Sequence, residues 1–421
     1  MSGNNHLTSG RQAAWLALGL MSSGCGWLIG LDEFVDAPPD AGGAAGAAGT
    51  CADGERECVG DTPRECADGA WIAQAPCEGA APVCADGQCV ACAEGTRGCA
   101  GSTPRRCEAG AWVEETGCAG PEPGCRDGAC VPASCAGGGP GAGVSCGRSG
   151  DADCCGSPVV PGGTFNRLNE PMYPATVSDF RLDTYEITVG RFRAFVEAGK
   201  GTQGDPPLPG SGAHPAIPGS GWDAAWTAEL ATNTAALKTA LKCGPQWFWT
   251  DSPGPNERHP IHCVLWFEAF AFCAWDGGRL PTEAEWNYAA AGGSEQRQYP
   301  WGATIDESKA SYMCLGDGSP DCSMDDFLAV GSRSPAGDGK WGHIDMAGNV
   351  GERVLDWFLQ YPIPCIDCAS VSSSETQRAF RGGTAWSADV LVSNDAVSAD
   401  FPYNRNSSVG ARCARLSAAG P

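Results

Sequence analysis

Cysteine is the residue with the most chemistry to offer here, at 25 positions in 421. Thiols can hold soft metals, exchange with disulfides or cross-link a chain. Cys365-Ile-Asp-Cys368 has the Cys-x-x-Cys spacing that suits exchange. No strand-then-helix pattern surrounds it, so a structural disulfide is the expected state. His259-Pro-Ile-His262 has a spacing that could chelate a metal, but Pro260 argues for a loop and against a ligand pair. The remaining histidines are His6, His214 and His343, and His343 is expected to pack or hydrogen-bond.

Twelve cysteines recur in register. Those at 51, 58, 66, 77, 84 and 89 return at 92, 99, 107, 118, 125 and 130, each 41 residues on. Thr62-Pro63-Arg64 returns as Thr103-Pro104-Arg105, and Gly69-Ala70-Trp71 as Gly110-Ala111-Trp112. This is a duplicated unit, with repeat one at 51–91 and repeat two at 92–131. A unit of about 40 residues with one Trp and almost no aliphatics cannot hold itself by burial, so three disulfides per unit are expected. Six cysteines leave 15 connectivities open. The repeats hold no His and repeat no Cys-x-x-Cys in register, which argues against zinc. Cys135, Cys146, Cys154 and Cys155 belong to a Gly-rich connector, 132–157, expected to close a knot against the next domain.

The N-terminus reads as an export signal over 1–24. Arg11 supplies the charge, Ala13–Met21 the apolar run and Ser22-Ser23-Gly24 the small residues before Cys25. The arrangement resembles a bacterial lipoprotein signal, although Ser22 stands where Leu is usual, and Cys25 is the thiol expected to receive the lipid. Removing Cys25 leaves 24 cysteines, an even number, as a disulfide framework in an oxidising compartment requires. Residues 25–50, rich in Ala, Gly and Pro, read as anchor and flexible tether. The expected location is the bacterial envelope, with membrane contact through the lipid alone.

A net charge of −23 with no basic block repels phosphate backbones, so nucleic acid is not an expected partner. No apolar run is long enough to span a membrane. Fifteen Trp exclude a wholly disordered chain.

The elements that must position any site lie in 158–416. Val159–Phe165 reads as a strand and turn, and Phe180–Ile187 as a half-buried strand. Thr188 caps a helix with Val189, Phe192, Phe195 and Val196 on its apolar face, and Gly199 ends it. Trp222, Trp226, Leu230, Leu237 and Leu241 are spaced for one face of a helix over 222–242. An aromatic helix is expected over 264–276, and Thr282 with Glu285 forms a capping box. Helices mixed with irregular antiparallel strands make an α+β domain.

A set of ordered strings carries a resemblance. They are Pro161-Gly-Gly-Thr-Phe165, Tyr185-Glu-Ile-Thr188, Arg279-Leu-Pro-Thr-Glu-Ala-Glu-Trp286, Tyr299-Pro-Trp-Gly302, Asp345-Met-Ala-Gly-Asn-Val350, Arg381-Gly-Gly383 and Gly410-Ala-Arg-Cys413. Together they resemble the formylglycine-generating enzyme (sulfatase-modifying factor) family. The resemblance implies a C-type-lectin-related fold with little regular secondary structure. It also implies an oxidase that converts a sulfatase cysteine to formylglycine with copper on two thiolates. Soft Cu(I) prefers soft thiolates. The matching positions here are Ser387 and Val392, with Thr384 keeping a hydroxyl, so copper is not expected.

The resemblance further implies calcium on Asp345, Gly348, Val350 and Glu352, two carboxylates and two carbonyls of the hard kind calcium takes. It pairs Cys273 with Cys413. The nearest remaining partners are Cys243 with Cys263, Cys314 with Cys322, and Cys365 with Cys368. The expected protein is a non-catalytic surface module that binds a protein, peptide or glycan at a groove lined by Thr384, Trp386 and Ser387. The alternative is an active oxidase with a displaced metal site.

Overall fold

The computed structural model describes residues 51–244, 248–372 and 375–417. The export signal, Cys25 and the tether lie outside the described residues.

Each Cys-rich repeat is a three-stranded antiparallel sheet followed by a short hairpin. Repeat one uses Arg56–Val59, Thr62–Ala67 and Ala70–Ala73, then Val83–Ala85 with Gln88–Val90. Repeat two reproduces this with Arg97–Ala100, Thr103–Glu108 and Ala111–Glu114, then Gly124–Arg126 with Ala129–Val131. The connectivity left open by the sequence is first to third, second to fifth and fourth to sixth. The bridges are Cys51–Cys66, Cys58–Cys84 and Cys77–Cys89, then Cys92–Cys107, Cys99–Cys125 and Cys118–Cys130. The lone Trp of each unit carries an arginine on its face, Arg64 on Trp71 at 5.2 Å and Arg105 on Trp112 at 4.2 Å. The repeats meet where Ala91 N–H donates to the Gly110 carbonyl at 2.9 Å. A Cβ on Gly110 would lie 2.6 Å from Val90 Cγ1, so glycine is required there.

The connector closes on itself through Cys135–Cys155 and Cys146–Cys154. It attaches to the following domain by packing its four cysteines with Tyr185, Val330 and Ile344, and by hydrogen bonds. Ser134 N–H donates to Asp276 Oδ1 at 2.7 Å, and the Thr188 hydroxyl donates to the Gly141 carbonyl. Repeat two also touches the domain, where Arg181 Nη1 meets Glu122 Oε1 at 2.7 Å.

The C-terminal domain is α+β, with four short α-helices and three small sheets among the described residues. Helix α1, Val189–Glu197, starts at Thr188, whose hydroxyl accepts the Arg191 N–H. The expected helix over 222–242 is instead a 3₁₀ turn, Ala224–Glu229, and helix α2, Thr234–Ala240. Asp223 and Asn233 cap the two pieces and Leu230 is extended between them. Side-chain caps in mid-segment outcompeted the apolar period. Trp222, Leu230, Leu237 and Leu241 are nevertheless all buried. Helix α3, Trp266–Trp275, is apolar nearly all round and is buried over most of its length. Helix α4, Glu283–Ala290, has the expected capping box: Thr282 Oγ1 accepts from Glu285 N–H at 3.0 Å, and Glu285 Oε2 from Thr282 N–H at 2.9 Å.

The largest sheet runs in the order Ser398–Asp400, Arg378–Arg381, Gly351–Trp357, Val409–Gly410. It sets Glu352 opposite Arg381. Another sheet pairs Phe180–Leu182 with Ala414–Leu416, joining the start of the domain to its end. One core cluster packs α1 against α3 through Phe192, Phe195 and Phe272, and a second gathers around Trp286 and Tyr288 of α4. The bridges Cys273–Cys413, Cys243–Cys263, Cys314–Cys322 and Cys365–Cys368 are those expected.

Candidate functional site

The Arg381-Gly-Gly segment leaves its strand through two positive-φ glycines, Gly382 at 87° and Gly383 at 65°. A Cβ on Gly383 would lie 2.6 Å from Val392 Cγ1, so the glycine lets the chain pass Val392. The turn delivers Thr384, which is buried, then Trp386 and Ser387. Thr384 N–H donates to Ser387 Oγ at 2.9 Å, and the two hydroxyls lie 3.1 Å apart. Trp386 N–H donates to Thr384 Oγ1 at 3.2 Å. Val392, seven residues before Ala399 on the adjoining strand, is fully buried with Tyr299, Ala310, Tyr312 and Ala347. Thr384 and Ser387 are thus neighbours in a polar turn, while Val392 belongs to an apolar cluster. Hydrogen bonding is the chemistry this turn offers.

Trp386 is neither core nor free. It is 36% exposed, its ring meets Phe327 edge-on at 4.9 Å, and its Nε1–H donates to the Ser323 carbonyl at 3.0 Å. That bond holds the indole at the surface with one side available for contact.

The turn from Asp345 to Glu352 is buried and strongly charged. Asp345 (φ 58°) and Asn349 (φ 59°) are both left-handed. Asp345 Oδ2 accepts from Gly331 N–H at 2.6 Å, and burial pushes its carboxyl up to about 6. Glu352 is paired with Arg412 through both oxygens, at 2.6 and 2.7 Å, and also accepts from Trp286 Nε1–H at 2.7 Å. Glu186 is a third carboxylate, not singled out in the sequence. It accepts from Val350 N–H at 3.0 Å and Asn349 Nδ2–H at 2.7 Å, and burial with Asp345 and Glu352 nearby holds its carboxyl well above the usual range. Two buried acids and the part-buried Asp345 thus face one guanidinium. The excess negative charge fits a hard cation on Asp345 and the Gly348 and Val350 carbonyls. The donor set fits less well at Glu352, whose oxygens are already engaged.

Both histidines of His259-Pro-Ile-His262 are engaged in aromatic packing. Phe248 lies against both rings, 4.5 Å from His259 and 5.0 Å from His262. His262 Nε2 accepts from Phe248 N–H at 3.3 Å, and burial pushes its imidazole down to about 4. Among the described residues the only grouping of three metal-type ligands is Asp183, Asp276 and Cys413. That grouping is already satisfied. Arg191 and Arg415 pair with both aspartates, and Cys413 is in a disulfide. The twelve disulfides take up all 24 cysteines of residues 51–417, so no described residue offers a free thiol.

Residues 148–417 match the model of the Sulfatase-modifying factor enzyme 1-like domain. The chain is 26% identical over 291 residues to a formylglycine-generating enzyme of Thermomonospora curvata, covering 61% of this chain and 92% of that one. It is 31% identical over 259 residues to the formylglycine-generating enzyme of Streptomyces coelicolor, covering 58% and 80%. It is 27% identical over 219 residues to the inactive C-alpha-formylglycine-generating enzyme 2 of Bos taurus, covering 46% and 68%. The matched span takes in the Arg-Gly-Gly turn, the Asp345 turn and the α4 capping box together, and the chain belongs to the sulfatase-modifying factor family.

Proposed function

We propose that this chain is a non-catalytic member of its family, a binding module carried at the bacterial envelope. The observation that carries the reading is the state of the two positions where the resemblance places copper thiolates. Ser387 is bonded into a hydroxyl turn and Val392 is packed in an apolar cluster. Neither group can hold Cu(I) as a thiolate does. With every described cysteine in a disulfide, no second thiolate pair stands ready to replace them. One matched relative is itself described as inactive.

Export and lipid anchoring at Cys25 belong to the same reading and rest on the signal-like N-terminus. Membrane contact is through the lipid alone, and the charge of −23 speaks against nucleic acid as a partner. The repeats then act as a stapled spacer below the C-terminal domain. Of the expected groove residues, Trp386 and Ser387 form the proposed contact surface for a protein, peptide or glycan, with the indole as its apolar part and the buried Thr384 bonding the turn from beneath. Calcium is proposed as a structural ion at Asp345, Gly348 and Val350, supported by the excess of buried carboxylates there; Glu352, in this reading, adds charge more than a free oxygen.

The test is an oxidation assay on the full chain. Cu(I) and a peptide bearing Cys-x-Pro-x-Arg are added, and the peptide is followed by mass spectrometry beside an active family enzyme. No aldehyde is expected from this chain. Thiol loss with aldehyde gain would overturn the non-catalytic reading in favour of an oxidase with a displaced metal site.

A further inference from the structure

Cys365–Cys368 differs from the other bridges in its loop length and in the buried arginine that touches it. Among the twelve described disulfides it closes the shortest loop, with a sequence separation of 3 against 8 to 140 elsewhere. The stabilisation a cross-link confers by restricting the unfolded chain grows with loop length, so this bridge contributes the least of the set. The loop that it closes reaches the surface, although the bridge itself is less exposed than Cys77–Cys89 or Cys314–Cys322. Cys365 begins a two-residue strand, Cys365–Ile366, and is itself buried. Ile366, between the two cysteines, is 71% exposed, and Ile363 just before them is 61% exposed. Cys368 is half-buried, the more accessible of the two sulfurs' residues. Asp367 (φ 44°) fixes the loop by accepting from Ser178 N–H and Oγ–H, both at 2.6 Å.

The second observation is Arg167. Its side chain is fully buried, yet no carboxylate lies within ion-pair distance of it among the described residues. Nη1–H points at Cys368 Sγ at 3.8 Å, Nη2–H donates to the Pro362 carbonyl at 2.8 Å, and the guanidinium lies over the Tyr361 ring at 5.0 Å. Nε has no partner. Asp356 and Glu283 feel its charge or share its surroundings without bonding to it. A buried cation with no carboxylate bonded to it is costly, and of the groups hydrogen-bonded to Arg167 the Cys368 sulfur is the one that can become an anion.

We propose that Cys365–Cys368 is a thiol–disulfide exchange site, with Cys368 as the sulfur that forms the mixed disulfide and Arg167 as the residue that holds its thiolate. The co-reactant is a protein or small-molecule dithiol. One thiolate of the dithiol attacks Cys368 Sγ; a new S–S bond forms, the Cys365–Cys368 bond breaks, and Cys365 leaves as thiolate. The second thiolate of the dithiol attacks its own sulfur in the mixed disulfide, closing the dithiol's disulfide and releasing Cys368 as thiolate beside Arg167. The dithiol loses two electrons and this chain gains them, and the two protons of the dithiol supply what the released thiolates take up. Run in reverse, reduced Cys368 attacks a disulfide and Cys365 resolves the product.

The test uses the full chain in graded dithiothreitol under native conditions, with alkylation and peptide mass spectrometry of all cysteines. Cys365 and Cys368 should be alkylated roughly tenfold or more faster than any other pair, with Cys273–Cys413 still closed. In Cys365→Ser, glutathione disulfide should trap a mixed disulfide on Cys368. Arg167→Gln should move the pH profile of Cys368 alkylation upward, and Arg167→Lys should restore most of it, which separates charge from packing. Opening of Cys365–Cys368 only together with the other bridges would overturn the proposal. So would a pH profile unmoved by Arg167→Gln in protein whose other bridges remain closed.

Discussion

The Ser387 hydroxyl accepts the Thr384 backbone N–H at 2.9 Å and lies 3.1 Å from the Thr384 hydroxyl. A hydroxyl pair occupies the turn where the family resemblance calls for the first thiolate. The second position, Val392, is filled by apolar packing. If these two replacements are what separate the chain from copper chemistry, restoring both should restore the metal. Ser387→Cys with Val392→Cys is expected to retain Cu(I) after dialysis against a weak chelator, read by elemental analysis. The parent chain and each single variant should retain none. Loss of packing at Val392→Cys should cost about 1 kcal/mol, small enough to leave the domain folded. Copper retained by the parent would contradict the reading.

Glu352 and Arg412 form a bidentate pair with both side chains wholly buried. Arg412 also donates to the carbonyls of Asp183, Thr184 and Ile344, so one guanidinium ties three segments together. Removing it leaves the buried Glu186 and Glu352 and the part-buried Asp345 without that cation. Arg412→Gln is expected to lower stability by about 3–5 kcal/mol in urea unfolding, against under about 1 kcal/mol for removal of an exposed pair such as Arg56–Glu65. A small effect at Arg412 would mean that the three acids are already neutral or balanced by another cation.

The same residues show what the sequence made legible. Arg412 and Glu186 both lie inside strings that carried the resemblance, Gly410-Ala-Arg-Cys413 and Tyr185-Glu-Ile-Thr188. Their roles were hidden because a buried ion pair joins residues far apart in the chain and leaves no local period. Local signals fared better. The Thr282–Glu285 capping box, the Thr188 cap and the 41-residue repeat are short-range facts, and each is present in the fold. The 222–242 segment failed for the opposite reason: its apolar spacing was real, but Asp223 and Asn233 offered caps that divided it. The exchange site needed Arg167, which is about 200 residues from Cys368 in the chain and has no sequence signal to link them.

Asp356 gives a pH dependence with a definite sign. It is fully buried and accepts from Glu283 N–H at 2.8 Å and Ser370 N–H at 2.7 Å. Burial outweighs those bonds and pushes its carboxyl from 3.8 up to about 7. An acid raised in the folded state binds a proton that the unfolded chain has already lost. Its contribution is therefore most favourable below about pH 4 and declines as pH rises toward 7, by something on the order of 4 kcal/mol at the limit. Asp356→Asn should flatten that part of the stability profile. Unfolding midpoints measured between pH 4 and 8 check it, and an unchanged slope in the variant would assign the dependence elsewhere.

The proposed calcium site predicts a linkage. A ligand bound only by the folded state stabilises by about 2.7 kcal/mol at a hundredfold excess over its dissociation constant. Millimolar calcium should raise the melting temperature of chelator-treated protein, and Asp345→Asn should abolish the rise. Glu352→Gln should lower stability with or without calcium, because its oxygens are bonded to Arg412 and Trp286. A calcium response unaffected by Asp345→Asn would place the ion elsewhere.

Gly190 tests whether the connector is built into the domain or merely precedes it. The residue lies in the first turn of α1, where replacing Gly by Ala ordinarily favours a helix by about 1 kcal/mol. Here the added Cβ would lie 2.2 Å from the Pro140 carbonyl oxygen and 2.9 Å from Gly141 Cα. The facing residue is equally tight, since a Cβ on Gly141 would lie 1.9 Å from the Glu257 carbonyl oxygen. The docked connector therefore reverses the sign, and Gly190→Ala should destabilise the protein by about 1–3 kcal/mol, as overpacking does. A gain in stability would mean that 132–157 separates readily from α1. A loss, together with faster proteolysis between residues 136 and 151, would show that the connector is held on the domain by this contact and by the Ser134–Asp276 bond.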